Sequence, residues 1–334
     1  MAVGLSASMI RVQRGLVLAG IACMVVGLAA GPALADTTLP PGGHIAATIL
    51  DPATPVSVEA GFGSIWVANG PAGTILRIDP ASNTVVATIQ AGRPVCCLAF
   101  GAGAVWAASS ATDSVIRIDP ATDSVVDSFP SGGLAPEGIT FGDGFVWVAN
   151  HHGNPTGSVA KIDPAIDTVI DVIRVGAAMF AGGPSFLAAV PGSVWTDVPN
   201  LSALVRIDTA TDAISATIPA RGACSEVAAD SQQVWVSGGT PPGCLPGVFR
   251  VDPATNSLVT RLTAGGPSSG NALGSGGLWF GADNSDLLNR VDTSTNSVVG
   301  QLKLPGSPGS IATGFGSVWI ADQTNSAILR VVPD

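Results

Sequence analysis

The sequence predicts an all-β chain. It should form one seven-bladed β-propeller with four antiparallel strands per blade, the last blade closed by the N-terminal strand. Three observations carry this. Seven tryptophans (Trp66, Trp106, Trp147, Trp195, Trp235, Trp279 and Trp319) recur at steps of 40, 41, 48, 40, 44 and 40 residues, a period that belongs to repeat architectures. A basic residue follows each tryptophan by 11 to 15 positions: Arg77, Arg117, Lys161, Arg206, Arg250, Arg290 and Arg330. Lastly, the two chain ends are complementary, because residues 45–66 align without a gap on residues 85–106.

Residues 1–35 read as an export signal. Arg11 and Arg14 give a basic start, residues 15–31 are uncharged and mostly apolar, and Ala33-Leu34-Ala35 matches a small-x-small cleavage site. A retained membrane anchor is the rival reading, but the stretch is short for a span. Cys23 would be a lipid-attachment site only if Gly20-Ile21-Ala22 served as a lipobox without its leucine. No later run is apolar enough to span a membrane, since Gly, Pro or Asp breaks each one. Residues 36–44 form a short lead, and residues 45–334 form the propeller.

Residues 101–130 illustrate one unit. Ala104 to Ala108 is a short apolar strand holding Trp106, and Ser114 to Ile118 is a second strand. Asp119-Pro120-Ala121-Thr122-Asp123 is a tight turn, its proline presetting φ. Ser124 to Phe129 is a third strand. Gly138 to Phe141 is then a small-residue strand before the next Trp. Four short strands in about forty residues make a propeller blade. Inner strands crowd at the axis and need small side chains, as in Val227-Ala228-Ala229. Seven tryptophans at one place in the blade imply packing, not chemistry. After Trp319 only Ala327 to Val332 remains, so Ile45 to Leu50 should supply the fourth strand of the seventh blade and remove the open edge.

Asp follows the basic residue two positions on in six units: Asp79, Asp119, Asp163, Asp208, Asp252 and Asp292. Two apart on a strand, they share a face. A ladder of ion pairs or hydrogen bonds between blades is the expected role, with the cation stacked on Trp.

The formal charge of -10 becomes about -12 without Arg11 and Arg14. Such an acidic chain is a poor nucleic-acid ligand. No phosphate loop, nucleophile elbow, HExxH helix or EF-hand loop occurs. Chemistry is therefore sought where the repeat breaks, at the loops of the channel mouth. The loops before the inner strands supply Arg93, Cys96, Cys97, Glu137, Arg221, Cys224 and Glu226. The loops after the Trp strands supply Asn69, Asn150, His151, His152, Asp197 and Asp322. The third blade carries an insertion around residues 177–184.

His151 or His152 with Glu137 offers a metal site or an acid–base pair. Glu226 and Glu137 are candidates for a carboxylate pair. These four are the candidate catalytic residues. Asn69, Arg93, Asn150, Asp197, Arg221 and Asp322 are the candidate ligand-binding rim. Four cysteines remain after export, an even number. Cys224 and Cys244 belong to one blade and are the expected disulfide. Cys96 and Cys97 are left over: neighbours on a strand should point apart, so a bond between them needs a strained turn, and pairing with another chain is equally open.

The phrases Gly-Ser-Val-Trp-Ile-Ala (316–321) and Arg-Ile-Asp-Pro-Ala-Ser-Asn-Thr-Val-Val-Ala-Thr-Ile (77–89) resemble the YVTN/YncE-type propeller repeat of exported bacterial proteins. The frame is also similar to the streptogramin (virginiamycin B) lyase family, and the resemblance covers nearly all of residues 45–334. That family carries Pro-His-x-Ile and Trp-Phe-Thr-Glu phrases around a magnesium ion. Here the matching phrases are Pro136-Glu137-Gly138-Ile139, Val95-Cys96-Cys97-Leu98 and Cys224-Ser225-Glu226-Val227, without His. Asn69, Ser109, Asn150, Val198, Gly238, Ala282 and Asp322 stand three residues after the tryptophans, and none is Glu. The frame matches and the lyase site does not.

The expectation is a secreted or cell-envelope monomer that binds an unknown ligand or cell-envelope protein at the mouth, with no nucleic-acid partner. No cofactor is expected, a divalent metal being the alternative. The second function class is a lyase- or hydrolase-type enzyme.

Overall fold

The computed structural model describes residues 39–152, 157–176, 183–239, 244–268 and 270–334. The signal reading (1–35) and residues 177–182 of the third-blade insertion lie outside the described residues. Seven four-stranded antiparallel sheets are described. In chain order the blades span 57–90, 97–130, 134–174, 187–219, 227–262 and 271–303, and the seventh joins 308–333 to 43–50. The only helical pieces among the described residues are two short 3-10 turns, Pro199–Leu201 and Asp283–Ser285. No helix of the described residues is long and apolar enough to cross a membrane.

In the first six blades strand order runs outward with the sequence, so the first strand is innermost; in the seventh Pro308–Gly314 is innermost and Gly43–Leu50 outermost. Inner strands are short where the axis is crowded: Val227–Ala229 has three residues and Leu187–Val190 has four. The third blade departs from this. Its inner strand runs over Leu134–Gly142, nine residues, because a register shift between Pro136 and Gly138 lets the pairing continue up to His152.

Every tryptophan is fully buried and packs on the blade that follows it. Trp66 meets Val105, Ile116 and Ile118 of the second blade, and Trp319 meets Val58, Ile65 and Ile78 of the first. A buried indole N–H needs an acceptor. In four blades this is the carbonyl ending the inner strand, as in Trp66 to Gly61 O at 2.9 Å and Trp106 to Gly101 O at 3.0 Å. Gly61 must be glycine for a further reason: a Cβ there would lie 2.5 Å from the Phe100 ring of the next blade.

The repeated cation lies over the tryptophan of its own blade, with Arg77 5.2 Å from the Trp66 ring and Arg330 5.2 Å from that of Trp319. It then reaches the turn of the next blade. Arg77 pairs with Asp123 at 2.9 Å, Arg117 with Asp167 at 2.9 Å and Lys161 with Asp212 at 2.7 Å. Arg330 donates to Asn83 Oδ1 at 2.9 Å, so the series returns to the first blade. The stacking on Trp was expected, but the ladder partner was not. The Asp two positions after the cation turns into its own turn, where Asp119 Oδ1 accepts from Ala121 N at 2.8 Å and Oδ2 from Thr122 Oγ1 at 3.0 Å. These turn bonds hold Asp119 below the usual carboxylate range.

Closure follows the sequence expectation. Gly43–Leu50 pairs antiparallel with Ala327–Pro333, and Ile49 enters the core beside Trp319 and Ile328. The lead also continues onto the sixth blade, where Gly42 N donates to Gln301 O at 3.2 Å and Gln301 N to Pro40 O at 3.1 Å. One short segment therefore ties two neighbouring blades.

Candidate functional site at the channel mouth

Residues from all seven blades line a cavity of about 640 Å3 at the channel. Three carboxylic acids line it: Glu59 of the first blade, Glu226 before the fifth, and Asp283 of the turn that follows the sixth-blade Trp strand. Glu59 retains some access to water, yet protein surrounds it, and burial pushes its pKa up to about 8. Burial, and then the charge of Glu59, also drive Glu226 well above the usual carboxylate range.

Glu226 is held firmly. Its Oε2 accepts from Asn271 N at 3.0 Å, and its Oε1 from Ser310 Oγ at 3.4 Å. Asn271 Nδ2 donates to the Glu226 carbonyl at 2.7 Å and to Ser237 Oγ at 2.7 Å. Ser310 Oγ also accepts from Val58 N at 3.3 Å, next to Glu59. Blades one, five, six and seven thus meet in one polar cluster. The buried Asn271 Oδ1 has no hydrogen-bond partner among the described residues. Burial thus favours the protonated form of both carboxyls, which can donate as well as accept.

A second cluster lies at blades three and four. His151 Nδ1 stands 3.4 Å from Glu137 Oε2 and 2.9 Å from Ser185 Oγ. His152 is exposed, and its ring packs edgewise on that of His151 with centroids 4.8 Å apart. Asp197 is buried behind Ser185 and Phe186, and its Oδ1 accepts from Phe186 N at 2.7 Å. Burial pushes Asp197 up to about 7. The structure therefore unites Glu137 with His151 and Asp197 and sets Glu226 in a separate cluster with Glu59. Among the described residues no three His, Cys, Asp or Glu converge as a metal-binding group.

The remaining rim candidates are placed differently from one another. Asn69, Asn150 and Asp322 are buried, because the Trp strands stay covered to their ends. Asn69 Nδ2 donates to Asp51 Oδ1 at 3.3 Å, Asn150 Nδ2 to Ser131 O at 3.2 Å, and Asp322 Oδ2 accepts from Asn325 Nδ2 at 2.8 Å. They hold loops together. Arg93 borders a separate hollow with Asp113 and Phe129, and its Nη1 donates to Ser114 Oγ at 3.4 Å. Arg221 is exposed and outside the cavity lining. Cys224 and Cys244 form a disulfide with Cα atoms 6.0 Å apart. Cys96 and Cys97 are free thiols, and both line the cavity.

Sequence reasoning missed Glu59, although a signal existed. The inner-strand residue opposite each Trp is alanine in five blades (Ala99, Ala188, Ala228, Ala272 and Ala312) and Thr140 in another. Glu59 occupies that position in the first blade. A charge in a column of alanines is the break in the repeat that mattered.

No family model matches the chain, and no curated protein matches its sequence. Solved structures do resemble it. Hydrazine synthase of Kuenenia stuttgartiensis superposes with a TM-score of 0.73 at 14% identity, over 87% of this chain and 100% of that one. A streptogramin B lyase superposes with a TM-score of 0.68 at 18% identity, over 86% and 95%. At these identities the likeness shows the propeller fold and leaves function to the site.

Proposed function

We propose that this protein is an exported binding propeller of the YVTN/YncE type that holds a small ligand in the channel-mouth cavity. The observation that carries the reading is the Glu59–Glu226 pair with Asn271 and Ser310, four polar groups converging on one cavity. A concave cavity with a few fixed polar groups is a usual form of a small-molecule site. The pair favours a ligand with a basic or hydrogen-bonding group, such as an amine or a polyol. The repeat phrases at 77–89 and 316–321 support the family reading, and the signal-like residues 1–35 support export.

Thermal melts of the full chain with amines, cell-wall sugars, short peptides and macrocyclic antibiotics test this. A true ligand raises stability by roughly 2.7 kcal/mol at a hundred times its dissociation constant. Glu59→Gln and Glu226→Gln should each weaken that shift. A shift untouched by both substitutions would reject the site.

The Glu137–His151 contact favours a second reading, a lyase- or hydrolase-type enzyme. In that case His151 acts as base with Glu137 setting its tautomer, as acid–base pairs require. Turnover abolished by His151→Ala and by Glu137→Gln would establish it. Ligand binding without turnover, unchanged by either substitution, would reject it.

A further inference from the structure

Cys96 and Cys97 are adjacent, yet both sulfurs reach the same Glu137 carbonyl. A β-bulge explains how. Cys96 N donates to Ala108 O at 3.0 Å, and Cys97 is the register partner of the same Ala108. Two residues thus oppose one, and such a bulge re-aims a side chain that strict alternation would send to the other face. Cys96 Sγ lies 3.5 Å from Pro136 O and 3.8 Å from Glu137 O. Cys97 Sγ–H donates to the same Glu137 carbonyl. Both thiols line the cavity.

We propose that Cys96 and Cys97 form a two-sulfur site for a soft monovalent d10 cation, Cu(I) being the type. The proposal stands apart from the small-ligand reading above and does not depend on it.

Three observations select this chemistry. Thiolate sulfur prefers soft ions of the Cu(I) kind. Among the described residues no third His, Cys, Asp or Glu joins the thiols, so a zinc centre of four protein ligands lacks donors, whereas Cu(I) is content with two sulfurs. A disulfide between these cysteines is the competing fate, but adjacent Cα atoms are about 3.8 Å apart and ordinary disulfides need about 4.4–6.8 Å.

As Cu(I) binds, the two thiols release their protons to water.

The reduced full chain, its Cys224–Cys244 disulfide intact, is titrated anaerobically against a coloured Cu(I) chelator. The protein should withdraw one equivalent of Cu(I), and C96S/C97S should withdraw none while keeping the wild-type circular dichroism. Bound Cu(I) should also protect both thiols of the wild type from alkylation, a readout that needs no variant. The proposal falls if the wild type leaves Cu(I) on the chelator, if C96S/C97S binds it equally, or if alkylation proceeds unprotected. It also falls if the pair closes to a disulfide, read as a mass loss of two hydrogens, faster than it binds Cu(I).

Discussion

Replacing Glu59 with glutamine should change how stability depends on pH. The carboxyl has an ordinary value of 4.5 and is raised to about 8 in the fold. Between those values the folded state binds more protons than the unfolded state, so stability falls as pH rises. At about 1.36 kcal/mol per pH unit, the shift corresponds to about 5 kcal/mol at most. Water in the channel reaches part of the side chain, and screening lowers this to roughly 2–3 kcal/mol. Urea unfolding of both proteins from pH 5 to pH 9 measures it. Glu59→Gln should match the wild type at pH 5 and exceed it by that amount at pH 9. Glu226 and Asp197 are shifted in the same direction, so a shallower decline should persist in the variant. Asp119 and its equivalents in the outer turns are shifted downward, and their contribution is lost only in acid, as pH falls through the folded pKa. Parallel curves for the two proteins would refute the burial argument, as would stability that rises with pH.

Ile49→Ala should cost about 2–4 kcal/mol, because Ile49 is buried against Trp319 and Ile328. The loss should move the whole unfolding transition, and removing residues 36–50 should do so more strongly. An early separate transition would show that the closing strand merely frays. Arg117→Ala should cost about 1–2 kcal/mol by removing the Asp167 pair and the stack on Trp106. A double-mutant cycle with Asp167→Ala that yields no coupling would contradict the inter-blade bond. Cys224→Ser with Cys244→Ser should cost about 2–4 kcal/mol. Reductant should lower the melting temperature of the wild type and leave that of the double variant alone.

The frame was legible because its cause is periodic. Each blade must present one large apolar side chain to the next, and Trp at a forty-residue period reports that directly. The closing strand was legible for the same reason, since Ile45 to Leu50 repeats Val85 to Gln90. The partner of the cation was not. Arg117 and Asp119 share a strand, but the bond runs to Asp167 on the next blade. Which turn residue lies there depends on the offset between two sheets, and no spacing within one unit encodes it. Likewise Asn69 and Asn150 break no rule of composition for a loop, yet packing buries both.

The cysteine pair shows the limit most clearly. Alternation along a strand sends neighbours to opposite faces, and on that rule Cys96 and Cys97 separate. The first blade carries the same bulge, with Val56 N donating to Ala68 O while Ser57 pairs with Ala68. The bulge is therefore a property of the frame, and the frame aims whatever residues occupy it. In the first blade it aims Val56 and Ser57 into the cavity, and in the second it aims two thiols. Substitutions at such positions change what the mouth recognises at little cost to the ring, whose stability resides in the Trp contacts between blades. Binding and stability should then separate by position: Glu226→Gln and C96S/C97S should move the first, and Ile49→Ala and Arg117→Ala the second. A cavity substitution that lowered stability as much as Ile49→Ala would show that the mouth also helps hold the blades together.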